Sequence, residues 1–391
     1  MIRFEEALSR IEDAARPISS ERVGIEDCLG RVLAEAIYSD IDMPPFDKSA
    51  VDGYACRKDD LDGILRVLEL IPAGKVPSYP IGKGECSKLM TGGMVPEGAD
   101  CVIMVEDVEV VDAFHIRYKG SSTAQNICHR AEDLKTGEKV LEKGTVIRPQ
   151  EIAVLASVGM ARPLVFQQFR IGIITTGDEL VEPHTVPGPA QIRNSNAWQL
   201  MGQCLNAGAI PTYYGITSDD EKMTSDLLEN ASKQNHIVIL TGGVSVGDFD
   251  FVPLVLKNAG FIIEFRSLAV QPGRPTIFAR RDQTYLFALP GNPVSSFIQF
   301  ELLVKHLIAK ASGDQKAYHS VCLTMGFDYS RKRSDRKAFI PVVISQDGTI
   351  GQVEYHGSAH IHSFIHADGI LPVEIGISEL KKGSLQDVRL F

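Results

Sequence analysis

The chain has 391 residues, 44% hydrophobic and 23% charged, the make-up of a globular protein of two or three domains. Forty basic against fifty acidic residues leave a net charge of −10. That balance argues against a nucleic-acid binder and leaves an anionic substrate to be met by local donors or a metal ion. Seven scattered cysteines with no C-x-x-C pair give neither a disulfide framework nor a cysteine zinc site.

The amino-terminal stretch MIRFEEALSRIEDAA carries acids where a signal peptide needs an apolar core. Phe4, Ala7, Leu8 and Ile11 have helical spacing, so it reads as an amphipathic helix. No apolar run approaches the roughly 18 residues of a membrane span. The expectation is a cytoplasmic protein that meets no membrane.

From Ile64 to about Lys143 the chain reads as short strands and turns: Ile64–Leu70, Cys101–Val105, and a hairpin of Val108–Val111 with Phe114–Tyr118. Pro149 opens a helix that Gly159 closes. From Arg170 the texture is α/β. Apolar runs at Ile171–Thr175, His236–Leu240, Phe261–Phe265 and Thr284–Leu289 predict strands, the first two covered on both faces. Helices are predicted at Asn196–Ala207, after Ser218-Asp-Asp-Glu221 (a capping box with Ser218 as cap), after Pro253, and at Val294–Ala311. This alternation predicts a doubly wound, mostly parallel sheet ending at Ser312-Gly313-Asp314. Tyr318 to Phe391 returns to short strands, a small barrel or sandwich.

In such sheets ligands sit beyond the carboxyl ends of strands, where three loops fall here. They are Thr175-Thr176-Gly177-Asp178-Glu179, the stretch from Thr241-Gly242-Gly243 through Ser245 and Asp248 to Asp250, and Pro290-Gly291-Asn292-Pro293-Val294-Ser295. Turn and cap chemistry alone would account for any one of them; the convergence of three favours a site. Their glycines let backbone N–H groups point at a phosphate-like anion. Asp178, Glu179, Asp248 and Asp250 would repel that anion unless a hard cation lies between, and magnesium suits carboxylates plus phosphate oxygens.

Three other patterns have competing readings. Gly243-Val-Ser245-Val-Gly247 has the form of a hydrolase nucleophile elbow, but the following helix starts too late, so Ser245 is not expected to be a nucleophile. His356, His360, His362 and His366 read as surface histidines, dispensable for chemistry, in preference to a metal site. Met43-Pro-Pro-Phe-Asp47-Lys48-Ser49-Ala-Val-Asp52-Gly53 makes a rigid polar loop, for which a purely structural turn is an equal explanation.

The blocks MPPFDKSAVDGYA, MTGGMVPEGAD, TTGDEL, TGGVSVGDFD, QPGRP and LPGNPVS, in this order along the whole chain, resemble the molybdopterin molybdenumtransferases, a family that includes the carboxy-terminal part of gephyrin. The resemblance implies a multi-domain α/β plus β fold: an elongated discontinuous domain (1–42 and 131–168), an inserted β domain (43–130), an α/β molybdopterin-binding domain resembling molybdopterin adenylyltransferase (169–314), and a small carboxy-terminal β-barrel domain (315–391). It implies transfer of molybdenum from molybdate to the dithiolene of adenylylated molybdopterin, with release of AMP and a need for Mg2+. By the same resemblance Asp52, Glu179, Asp219 and Asp250 are catalytic, the last three holding the metal. Thr91, Gly242, Gly243, Ser245, Arg274, Pro290, Gly291, Asn292, Pro293 and Ser295 bind substrate.

The resemblance also implies a homodimer in which the β domain of one protomer faces the α/β domain of the other. Transient contacts with an adenylyltransferase and with acceptor molybdoenzymes go with such a role. A scaffold role and adenylyl transfer are the alternatives; the β insert and the Asp52 loop, absent from the smaller adenylyltransferases, favour insertion. Four positions depart from the family pattern: Lys48 for Asn, Cys128 for Arg, Ala131 for Gly and Asn194 for Asp. They bear on the substrate rim and on the choice between molybdate and tungstate.

Overall fold

A computed structural model describes residues 1–243, 251–314, 320–354 and 357–391. The chain divides into two compact units, one of Ala36–Glu142 with Pro149–Pro163, the other of Met1–Glu35, Lys143–Arg148 and Leu164–Phe391.

The smaller unit is built on a six-stranded sheet in the order Cys101–Met104, Gly53–Cys56, Glu85–Leu89, Ile64–Ile71, His115–Tyr118, Val108–Val110. The expected hairpin is present, with Val110 opposite Ile116. The central strands Gly53–Cys56 and Glu85–Leu89 are not evident from sequence, because their alternation is masked by Gly, Ser and Lys. Cysteine serves here as a core residue. Cys56 stands opposite both Cys86 and Cys101, its sulfur 3.7 Å from that of Cys101, among Tyr54, Leu65, Ile103 and Ile116. Burial pushes the Cys86 thiol up to about 12, as in an apolar setting. The helix Pro149–Ser157 forms as expected and ends near Gly159 at φ 73°.

In the larger unit the sheet order is Ile210–Thr217, Arg170–Thr176, Ile237–Thr241, Thr284–Leu289, Ile277–Arg281, Ile262–Phe265. The first four strands are parallel, and Ile277–Arg281 runs against both neighbours. The apolar runs explain the double winding residue by residue, since side chains alternate between faces. Ile171, Ile173, Ile237 and Ile239 face a core shared with the helix Ser195–Asn206 and with Phe4, Ala7 and Ile11 of the helix Phe4–Ala14. Ile174, Val238 and Leu240 face Leu228, Ala231, Val255 and Leu256 from the helices Glu221–Gln234 and Val252–Asn258.

Two local expectations fail. The helix Glu221–Gln234 is capped by Asp220, whose side chain accepts from the Met223 N–H at 2.7 Å, and not by Ser218. Glu221 does not reach back; its carboxylate takes the Asn258 amide at 3.1 Å. An aspartate beside the helix is a cap as good as a serine two residues upstream. The long helix is interrupted as well: Pro293–Gln299 and Lys305–Ser312 are joined by a π-helical turn, Phe300–Val304. Gly313 ends it in the left-handed conformation, φ 69°.

The carboxy-terminal strands close into a small barrel. Lys337–Ile344, Gly369–Val373, Leu385–Leu390 and Ser320–Thr324 pair in sequence, and a bridge from Met325 to Ile350 returns to Lys337–Ile344 through Ile350–Gln352. Val342, Leu371, Val373 and Val388 fill it. No helix among the described residues is long and apolar enough to cross a membrane.

Candidate active site

A cavity of about 630 Å3 opens at the carboxyl ends of the parallel strands. All three loops singled out in the sequence reach it: Gly177 and Glu179 from the first, Gly242 and Gly243 from the second, and Pro290 to Pro293 from the third. Asp219, just past the edge strand Ile210–Thr217, lines it too.

Polar contacts hold the floor. Thr176 donates its hydroxyl to Asp219 Oδ1 at 2.6 Å, and the Asp219 N–H donates to Asp178 at 3.3 Å. Buried Asn196 donates its amide to Thr241 Oγ1 at 3.0 Å and to the Gly291 carbonyl at 2.8 Å, tying the second and third loops together. Asn194 caps the helix Ser195–Asn206 by accepting from the Ala197 N–H. It donates to Thr175 Oγ1 at 2.9 Å and to the Tyr213 hydroxyl at 2.8 Å, which in turn donates to Glu182 at 2.7 Å. An ionised aspartate in place of Asn194 could only accept, so the asparagine sets the direction of the bonds to Thr175 and Tyr213. Burial pushes the Tyr213 phenol up to about 12.

Gly242 acts differently from the expectation. The Gly242 N–H is not aimed at a ligand; it donates to the Leu289 carbonyl at 3.3 Å. Glycine is required there because a Cβ would stand 2.1 Å from the Thr176 carbonyl, at φ 100°. Two strand ends can therefore approach closely enough to share one cavity.

Two expected residues are not themselves among those that line the cavity. Ser295 is buried in the first turn of the helix Pro293–Gln299 and is not among the cavity-lining residues. Arg274 is exposed, while its neighbour Pro275 lines the wall. Ser245, Asp248 and Asp250, with His356, lie outside the described residues. Among the described residues no cluster of three His, Cys, Asp or Glu is disposed to hold a metal. Glu179 and Asp219 do face one cavity as hard oxygen donors. That set suits a magnesium ion completed by substrate oxygens.

One wall has no counterpart in the sequence reading. Ala359, Ile361 and His362 line the same cavity, His362 as an exposed side chain at its rim. The third loop holds this segment: Asn292 donates to Ser358 Oγ at 2.8 Å, and the Val294 N–H donates to the Ser358 carbonyl at 3.1 Å. Phe364 and Phe391 pack on Phe297 with ring centroids 5.0 Å away in each case.

In the smaller unit, Asp52 accepts from both the N–H and the hydroxyl of Thr91, at 2.6 and 2.7 Å. These bonds hold its carboxyl below the usual range. Nearby in sequence, Asp42 accepts twice from Thr136 at 2.8 Å and once from Arg130 at 2.7 Å, which lowers it to about 2. Nothing in the sequence singles out Asp42; only its distant partners give it a role. Ala131 sits at φ 60°, a left-handed backbone conformation that favours Gly.

Residues 2–159 match the MoeA N-terminal region (domain I and II), 172–310 a probable molybdopterin binding domain, and 325–391 the MoeA C-terminal region (domain IV). A molybdopterin molybdenumtransferase of Staphylococcus aureus is 34% identical over 400 residues, covering 100% of this chain and 95% of its own. The chain belongs to the molybdopterin molybdenumtransferase family. The Staphylococcus epidermidis member is 32% identical with the same coverage. The crystal structure of a molybdopterin biosynthesis moeA protein from Pyrococcus horikoshii OT3 superposes over 100% of both chains with a TM-score of 0.86 at 31% identity. The six sequence blocks thus sit in two settings: the MPPFD and MTGG blocks around the Asp52–Thr91 pair, and the described residues of the remaining four on or beside the cavity.

Proposed function

We propose that the chain is a molybdenum insertase, transferring molybdenum from molybdate to the dithiolene of adenylylated molybdopterin and releasing AMP. The observation that carries this reading is the cavity itself: two carboxylates, Glu179 and Asp219, share it with Gly242–Gly243 and the Pro290–Pro293 loop at the ends of parallel strands. An acidic cavity in a chain of net charge −10 suits a phosphate-bearing substrate only with a cation between them. Glu179 and Asp219, joined by Asp250, would hold that ion, which would supply positive charge to offset the substrate's phosphate. Thr176 keeps the Asp219 carboxylate aimed by donating to one of its oxygens. Gly242, Gly243 and Pro290 to Pro293 shape the wall against which the substrate lies, Ser245 and Arg274 contact its anionic groups, and Asp52, positioned by Thr91, supplies a further carboxylate to the reaction. The protein works as a homodimer, and sedimentation of the purified chain tests that part.

The test of the function is incubation with adenylylated molybdopterin, molybdate and magnesium, following AMP and molybdenum cofactor together. Equal amounts of both are expected. AMP formed without cofactor, or consumption of ATP with free molybdopterin, would replace this reading by hydrolysis or by adenylyl transfer.

A further inference from the structure

The helix Pro293–Gln299 begins in the third loop and ends in a residue that none of the six sequence blocks contains. Gln299 is fully buried. Its amide Nε2 donates to the Pro272 carbonyl at 3.0 Å, whereas its Oε1 is enclosed without a hydrogen-bond partner among the described residues. An orphaned amide oxygen in a core costs stability that a leucine of similar volume would not. A buried group of that kind calls for a reason beyond packing.

Gly273 shows how closely the bond is fitted. At φ 98° a Cβ there would stand 2.3 Å from Gln299 Nε2, so the amide lies directly on the backbone of the turn. That turn is Gln271–Pro275, and its other braces come from residues next to it in the chain and from the barrel. Val270 and Gln271 pair with Lys337 and Ala338 of the barrel. The Leu268 and Thr276 N–H groups both donate to the Arg274 carbonyl, at 2.9 and 3.0 Å, and the Thr276 hydroxyl donates to the Gly273 carbonyl at 2.7 Å. The Arg274 backbone is thus held while its side chain is exposed, and its guanidinium makes no hydrogen bond or ion pair among the described residues. Pro275, next to it, lines the cavity.

We propose that Gln299 is a positioning residue for the reaction: it sets Arg274 at a fixed reach from the Pro290–Pro293 loop, so that one anionic substrate meets both. The inference rests on Arg274 contacting the substrate and adds what aims it. The chemistry asks for such a tie. A guanidinium binds an oxyanion through directed N–H groups, and a displacement of about 1 Å forfeits much of that binding. The turn starts from a strand of the barrel sheet, whereas the loop starts from Thr284–Leu289 in the main sheet. Gln299 bonds the helix of the one to the turn of the other.

A double-mutant cycle tests this. Gln299→Leu keeps the volume and removes both the donor and the orphaned oxygen; Gln299→Met does so at the same length and without a branch. In the insertion assay each should raise KM for adenylylated molybdopterin about tenfold, keep kcat within about twofold, and leave the melting temperature unchanged or higher. Arg274→Ala should raise KM at least as much, and adding Gln299→Leu to it should change nothing further. Losses that multiply in the double variant would overturn the inference, because Gln299 would then act by another route. So would an unchanged KM with a lowered melting temperature, the mark of a packing residue. An Arg274→Ala protein with the wild-type KM removes the substrate contact and this inference with it, while equal AMP and cofactor leave the insertase reading standing. A wild-type protein that forms neither product strikes that reading and the inference that rests on it.

Discussion

The Thr176 hydroxyl donates to Asp219 at 2.6 Å, joining the end of the second strand of the sheet to the residue that leaves its edge strand. Thr176 is paired with Thr217 in the parallel register, so Asp219 turns back over the strand end two residues later. Thr176→Val is nearly isosteric and leaves that carboxylate unaimed. It should raise the magnesium concentration for half-maximal AMP release about 10-fold or more, without lowering the melting temperature appreciably. An unchanged magnesium titration would show that Asp219 does not serve the metal. Chelator should abolish AMP release in the wild type, and added magnesium should restore it.

Asp52 poses a sharper question. Thr91 holds its carboxyl low through two bonds, one from backbone and one from side chain. Thr91→Val removes the second only. The carboxyl should then take up its proton at a higher pH than in wild type, and the acid limb of the rate profile should move toward neutrality. A limb that stays in place would mean that Asp52 is not ionised for the reaction.

Asp42 should report on stability in acid. Its carboxyl is lowered from 3.8 to about 2, first by Thr136 and then by Arg130. A depressed value stabilises the folded state fully above 3.8, and that contribution is lost as the pH falls through about 2. Asp42→Asn should melt below the wild type at pH 6, with the gap closing between pH 4 and pH 2. A gap that is independent of pH would assign its role to shape.

Ala131→Gly should stabilise the protein. Ala131 sits at φ 60°, where a Cβ costs about 1–2 kcal/mol, and its N–H is fixed on the Pro44 carbonyl at 3.0 Å. Glycine frees that strain and gives back part of it as unfolded-chain entropy, for a net gain of about 0.5–1 kcal/mol in denaturant titration. A loss of stability would show that the methyl group packs better than the backbone suffers.

His362 and His366 separate a wall of the site from its surroundings. His362 lines both the cavity and an adjoining concavity, whereas His366 lines the adjoining one, with Glu354 and His360, and not the cavity. His362→Ala should raise KM for adenylylated molybdopterin up to about 10-fold, the scale of one hydrogen bond to a charged group, with kcat nearly kept. His366→Ala should leave both parameters alone. Equal behaviour of the two variants would return His362 to the surface.

How legible each element is in the sequence depends on how it is buried. Ile171, Ile173 and Ile174 announce a strand because both faces of it are covered. Ile210–Thr217 at the sheet edge gives no such signal, since its burial alternates without a fully buried run and Pro and Gly interrupt it. Ile277–Arg281 is equally hidden, its apolar start giving way at once to two arginines. The glycine loops are legible as a site, yet the reason for Gly242 is not, for it is a neighbouring carbonyl from another strand. His362 has no local signal at all. Its place depends on Asn292 gripping Ser358, sixty-six residues away.

The π turn at Phe300–Val304 sets the phase of everything beyond it. Each residue added to or removed from a helix rotates the downstream turns by about 100°. Buried Glu301 uses the wider turn to receive Gln203 at 2.8 Å and Lys305 at 3.0 Å, and its carbonyl takes Arg389 from the barrel. Deleting a single residue here would restore an ordinary helix and swing Leu307 and Ala311 out of the core shared with the sheet. The stretch between the Pro290–Pro293 loop and the barrel is therefore counted to the residue, although nothing in its composition marks it as anything but a helix.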